Sequence, residues 1–216
     1  MLDHARGGDD IFTAGGAGGS YTFYGDAGGE MSGDAVGGND TFTGHGDSTN
    51  LAYGDALTMS GHAQGGDDIL MGGNDLTAPS AVTFGNVLIG DAETIAGHAH
   101  GGNDTLISGT GNDDMFGDAK TILEQGCGGN DSFVFSSNSG HDRIEDFGQG
   151  VHGVTGLNWG TDHIDVSALG IHDFSELIIS AFDPVTHEST ITFSTGNDVV
   201  VHSQIALMQQ NFVFAP

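Results

Sequence analysis

The chain has 216 residues, with 30 acidic against 3 basic side chains and a formal net charge of -27 at pH 7. So few Lys and Arg residues exclude binding along a phosphate backbone, so nucleic acid is not an expected partner. One cysteine, Cys127, excludes an intramolecular disulfide framework.

The acids are 24 Asp and only 6 Glu. Asp is a poor helix former and favours turns and ligand positions. The charge opposes compaction through self-repulsion, yet 37% of the residues are hydrophobic and recur at fixed spacing. These features predict a chain that is disordered without counter-ions and ordered with them. The N-terminus, MLDHARGGDD, carries no apolar stretch, so no secretory signal is expected there. No run approaches the roughly 20 apolar residues of a membrane span.

One phrase recurs along the first two thirds: GGDDIF at 7–12, GGNDTF at 37–42, GGDDIL at 65–70, GGNDTL at 101–106, GNDDMF at 111–116 and GGNDSF at 128–133. Each copy sets an aspartate two positions before an apolar residue. A second phrase, apolar-x-Gly-Asp-Ala, follows Phe23, Ala52, Leu88 and Met115 and contributes Asp26, Asp55, Asp91 and Asp118. Internal repetition of this kind signals a repeat architecture. Glycine pairs and Gly-Asp turns in every step would break a helix. Short runs such as VLI, TLI and FVF therefore read as strands between tight turns. Apolar markers spaced alternately by 7 and 11 residues, as from Ala52 to Met59 to Leu70, predict a flattened solenoid. Its full circuit would be 18 residues, with two strands and two loops. The stretch around Pro79 breaks this count and reads either as two half-turns or as an excursion.

Glycine marks a boundary: 34 of the 39 lie in residues 1–150. The expected organisation is a repeat array over 1–150 and a strand-rich cap over 151–216. The stretch VHGVTGLNWGT at 151–161 reads as an insertion.

The repeated loops resemble the glycine-rich nonapeptide of the RTX (repeats-in-toxin) family, G-G-x-G-x-D-x-U-x, and SGTGNDDMF at 108–116 is the best copy. The resemblance covers about 1–150. It implies an all-β fold, a right-handed parallel β-roll (β-solenoid) with a C-terminal β-rich cap, binding several Ca²⁺ ions. Ca²⁺ takes six to eight oxygen ligands in flexible geometry, and in the family, loops from successive coils share each ion. By that resemblance Asp10, Asp40, Asp68, Asp104, Asp113 and Asp131 are side-chain ligands. Gly8, Gly38, Gly66, Gly102, Gly111 and Gly129 would present carbonyls. Asp142, in SGHDRI, and Asp162, in GTDHI, keep the offset and extend the set. The Gly-Asp-Ala aspartates depart from the nonapeptide; they read either as ligands from a tighter loop or as turn residues bonding their own backbone. Asp34, Asp47 and Asp75 are weaker candidates.

Stretches of 132–214, including FVF, GHDRIEDF, DHIDVSALGIHDFSEL and the terminal NFVF, resemble the C-terminal flank of type I-secreted RTX proteins. That implies a secreted, extracellular bacterial protein handled by type I secretion machinery. At a dissociation constant near 10⁻⁴–10⁻³ M, tenfold excess ion adds roughly 1.4 kcal/mol per site, so about six sites add roughly 8 kcal/mol. That is comparable to the stability of a whole domain. The expected function is thus a non-catalytic domain that folds on Ca²⁺ after export. The alternative is the C-terminal module of a larger extracellular enzyme or adhesin, because the array begins by residue 7. No HExxH, DxDxDG or GxSxG motif occurs. An ice-binding solenoid would need a regular Thr-x-Thr ladder, which the chain lacks. Selectivity for another hard ion, such as a lanthanide, stays open.

Overall fold

The computed structural model describes residues 1–16, 19–46, 48–73, 85–148 and 162–216. Each repeat lays down three short strands in the same order. The first three are β1 (Ile11–Thr13), β2 (Ser20–Tyr24) and β3 (Ala27–Met31). The next are β4 (Thr41–Thr43), β5 (Thr49–Tyr53) and β6 (Ala56–Met59). Then come β7 (Ile69–Met71), β8 (Val87–Ile89) and β9 (Ala92–Ile95), and β10 (Thr105–Ile107), β11 (Asp114–Phe116) and β12 (Ala119–Ile122). The later strands are β13 (Ser132–Val134), β14 (His141–Phe147), β15 (His163–Asp165), β16 (Ile178–Ile179), β17 (Glu188–Ser194), β18 (Asn197–Ser203) and β19 (Phe212–Val213). Helical structure among the described residues is confined to three short 3₁₀ turns.

Equivalent strands of successive repeats pair in parallel, which builds three sheets. The first runs β1-β4-β7-β10-β13-β15-β19, the third β12-β9-β6-β3. The second runs β18-β14-β11-β8-β5-β2 and is extended by β16 and β17, which pair antiparallel. A row of single bridges, Arg6–Val36–Gln64–His100–Cys127, closes each repeat. The C-terminal segment thus continues the first two sheets through β15, β18 and β19.

The 18-residue circuit is not the one the chain makes. Aspartates preceding successive strands of the first sheet bond to partners 30, 28, 36, 27 and 31 residues on. One circuit holds three strands and a bridge. The steps of 7 and 11 carry the chain from the second sheet to the third and from the third to the first. A further step, from Phe42 to Ala52 or Leu106 to Met115, crosses from the first sheet to the second and completes the turn. The spacing was periodic, but the period has three steps rather than two. The turn around Pro79, Asp47, Asp75 and the insertion at 151–161 lie outside the described residues.

Inward positions alternate with outward ones, as the pleat requires. Phe42, Leu70, Leu106 and Phe133 from the first sheet meet Ala52, Leu88, Met115 and Ile144 from the second in one apolar cluster. Met31, Met59 and Ile95 of the third sheet pack with Ala35, Ala63 and Ala99 in another. Burying each Leu, Ile, Met or Phe contributes about 1.5–3 kcal/mol. Two clusters rather than one leave an interior strip between them in each circuit, and that strip is acidic.

Candidate metal centre

The aspartates of the GGxD phrase form a file along the first sheet. Each donates its N–H to the Oδ1 of the aspartate one repeat on: Asp10 to Asp40 at 2.6 Å, Asp40 to Asp68 at 2.6 Å, Asp68 to Asp104 at 2.7 Å, Asp104 to Asp131 at 2.8 Å and Asp131 to Asp162 at 3.0 Å. The register of the ladder fixes this, because each aspartate stands immediately before a paired strand. Asp10, at the open edge, is exposed.

The Gly-Asp-Ala aspartates form a second file. Asp26, Asp55 and Asp91 accept the N–H of Gly38, Gly66 and Gly102 at 2.9, 3.0 and 2.6 Å, and Asp118 accepts that of Gly129. The two files run side by side, and the Asp131 carboxylate bears on the ionisation of Asp118.

Both files leave oxygens without donors. Asp40, Asp55, Asp68, Asp91, Asp104, Asp118 and Asp131 are each no more than 1% exposed. In every one of them the Oδ2 is buried and accepts no hydrogen bond, as is the Oδ1 of Asp26. An ionised carboxylate buried without a partner carries a large desolvation cost. Burial accordingly drives these acids upward: Asp40 to about 6 and Asp68 to about 8, with Asp55, Asp91, Asp104, Asp118 and Asp131 raised well above the usual carboxylate value and their neighbouring carboxylates adding to the effect. Neither Lys120 nor Arg143 compensates. Lys120 pairs with Glu93, and Arg143 with Glu145 and Glu188.

The glycines of both phrases exist to admit these carboxylates. A Cβ on Gly37 would come within 2.0 Å of Asp55 Oδ1, and one on Gly101 within 2.0 Å of Asp91 Oδ2. A Cβ on Gly54 would meet Asp68 Oδ2 at 2.0 Å. The second glycine of each GGxD pair serves stacking. The carbonyls of Gly8, Gly38, Gly66 and Gly102 lie against the α-carbons of Gly38, Gly66, Gly102 and Gly129. Gly111 stands in the same way against Gly140.

Asp113 and Asp142 occupy a different corner. Asp113 stands just before β11 and Asp142 within β14, both strands of the second sheet, and they continue a polar row from Asn50 and Asn86. Asp113 Oδ1 accepts from the Asn86 N–H at 3.1 Å, and its Oδ2 from the Gly109 N–H at 2.9 Å. Asp142 Oδ1 accepts from the Asp113 N–H at 2.9 Å, and its Oδ2 from the Ser108 hydroxyl at 2.9 Å. Here every carboxylate oxygen has a donor. Burial still raises Asp142 to about 8.

Asp162 joins the end of the first file, and its Oδ2 accepts the Gly148 N–H at 2.6 Å. Asp146, which sequence reasoning passed over, ends the second file: its oxygens accept the N–H groups of Gly117 and Asp118 at 2.8 and 3.0 Å. It lacks the preceding glycine and sits two residues after its apolar marker rather than three, where the ladder register shifts between Ile144 and Phe147. Asp34 lies on the surface, 3.5 Å from His4.

An exposed ladder of Asp9, Asn39, Asp67, Asn103 and Asn130 runs beside the first file, the side chains of the first four accepting the backbone N–H of the next. Among the described residues no three acid, imidazole or thiol side chains already converge as metal ligands, and no helix is long and apolar enough to cross a membrane. No protein-family model matches the chain, and no curated protein matches it.

Proposed function

We propose that this chain is a calcium-binding repeat domain, a right-handed parallel β-solenoid with three strands per circuit that orders on Ca²⁺ after export from the bacterial cell. The observation that carries the reading is the double file of buried carboxylates with donor-free oxygens. Unpartnered anionic oxygens in a glycine-lined strip suit a hard cation that accepts oxygen ligands in flexible geometry. The fit is to the chemistry of the donor set: carboxylate and carbonyl oxygens, with no soft ligand in either file.

In this reading Asp40, Asp68, Asp104 and Asp131 act with Asp26, Asp55, Asp91 and Asp118. Asp113 and Asp142, whose oxygens already have donors, serve as structural corners. The protein's role is non-catalytic. Export by a type I machinery rests on the C-terminal resemblance, and the antiparallel β16-β17-β18 segment supplies a cap for the open end of the array.

The test is circular dichroism of chelated protein near pH 8 during Ca²⁺ titration, with Mg²⁺ as the control. Ca²⁺ should produce the β signal in a cooperative step that Mg²⁺ does not. A chelated chain that already shows the full signal would refute folding on calcium.

A further inference from the structure

We infer that the two aspartate files bind one shared column of hard divalent cations inside the circuit, with the carbonyls of Gly54, Gly90 and Gly117 as main-chain ligands. This deepens the calcium reading and rests on it.

The first observation is an encounter of acceptors. A Cβ on Gly25 would lie 1.8 Å from Asp40 Oδ2 and 1.9 Å from the Gly54 carbonyl oxygen. On Gly54 it would lie 2.0 Å from Asp68 Oδ2 and 1.8 Å from the Gly90 oxygen, and on Gly90 2.2 Å from Asp104 Oδ2 and 1.8 Å from the Gly117 oxygen. Three times, then, a carboxylate oxygen and a buried carbonyl oxygen crowd one point. The carboxylate oxygens have no donor, and the three carbonyls accept no hydrogen bond from the described residues. Two facing acceptors repel unless a cation stands between them or a proton is supplied. Glycine α-carbons line the approach, so no side chain fills the strip.

The second observation joins the files. A Cβ on Gly65 would lie 2.4 Å from both Asp55 Oδ2 and Asp91 Oδ1, so carboxylates of neighbouring repeats converge over that glycine. Among charged neighbours, the one bearing most on Asp91 is Asp104, a member of the other file. Asp91 therefore faces its own file and the opposite one at once.

The third observation is where the column stops. Asp146 and Asp162 stand at the next positions, but all their oxygens accept backbone N–H groups. Backbone donors replace the cation there, and the column ends at Asp118 and Asp131. The carbonyl ligands come from the short loop, and the ions lie within the circuit rather than along its outer edge.

Equilibrium dialysis against Ca²⁺ near pH 8 tests this with four proteins. They are wild type, the triple variant Asp40→Asn/Asp68→Asn/Asp104→Asn, the triple variant Asp55→Asn/Asp91→Asn/Asp118→Asn, and the sextuple combination. A shared column predicts that each triple variant loses the same ions and that the sextuple variant loses no more. Losses that add up mean two independent rows and overturn the inference, as does a Gly-Asp-Ala triple that keeps its full stoichiometry. Asp67→Asn, in the exposed ladder where Asn39 and Asn103 hold equivalent places, should keep every ion. Wild type that takes up no Ca²⁺ defeats the calcium reading and the column with it. Anomalous diffraction from terbium-soaked wild-type crystals needs no variant to fold. Peaks between the two files support the column, and peaks confined to the outer loops overturn it.

Discussion

The N–H of Asp68 donates to Asp104 Oδ1 at 2.7 Å, while Asp104 Oδ2 is buried with no donor at all. One carboxylate thus does two jobs. Its first oxygen locks one repeat to the next, and its second is the oxygen that the proposed cation would use. The same division holds for Asp40, Asp68 and Asp131, so under the proposed calcium binding, stacking and ion uptake would be coupled through single side chains.

That coupling predicts an unusual pH response in chelated protein. The folded-state values of Asp40 and Asp68 are raised by burial to about 6 and about 8, and that of Asp142 to about 8. A raised folded value favours the folded, protonated form, so this contribution is complete below about pH 4 and is lost as pH rises through about 6 to 8. Chelated protein should therefore hold its β signal near pH 5 and lose it by about pH 9, where added Ca²⁺ restores it. Circular dichroism across that range checks the sign; a signal that grows with pH in chelator contradicts it.

The apolar stack should bear on stability in the ordinary way. Phe42 is fully buried and stacks with Phe23 at 5.4 Å and Phe12 at 5.8 Å between ring centroids. Phe42→Ala should cost about 3–5 kcal/mol in urea unfolding of the Ca²⁺-loaded protein. Ile11→Ala, at 83% exposure on β1, should cost less than about 0.5 kcal/mol.

Glycine stacking gives a sharper contrast. A Cβ on Gly66 would lie 1.6 Å from the Gly38 carbonyl oxygen, a backbone atom held by the neighbouring repeat. Gly66→Ala should abolish the cooperative Ca²⁺-dependent β transition at any ion concentration. Gly29→Ala meets nothing within 4 Å and should leave the transition in place or raise stability slightly.

Asp113 offers a contrast with the proposed ion-binding carboxylates. Its Oδ1 and Oδ2 accept the N–H groups of Asn86 and Gly109. Asp113→Asn turns one acceptor into a donor facing a donor and should cost about 1–3 kcal/mol in denaturant unfolding. The number of ions bound at saturation in dialysis should not change.

Much of the interior is legible in the sequence. The apolar markers Phe42, Leu70, Leu88, Leu106, Met115 and Phe133 are all core residues, because a repeated strand must bury the same position in every copy. The length of the circuit was not legible. A step of 9 or 10 residues looks like an irregularity until pairing shows that it crosses to another sheet.

The sequence by itself determined that this protein repeats, that its strands are short, and that its aspartates recur in two distinct phrases. Composition and local turn chemistry suffice for that. Only the tertiary structure decided which oxygens are left open. Asp113 and Asp104 stand in nearly the same phrase, GNDD and GGND, yet one precedes a strand of the second sheet and finds donors on both oxygens. The other precedes a strand of the first sheet and faces the Gly-Asp-Ala file with a donor on Oδ1 alone. Hydrogen-bond satisfaction depends on which backbone N–H groups the ladder register brings within about 3 Å, and no local stretch of sequence encodes that register alone.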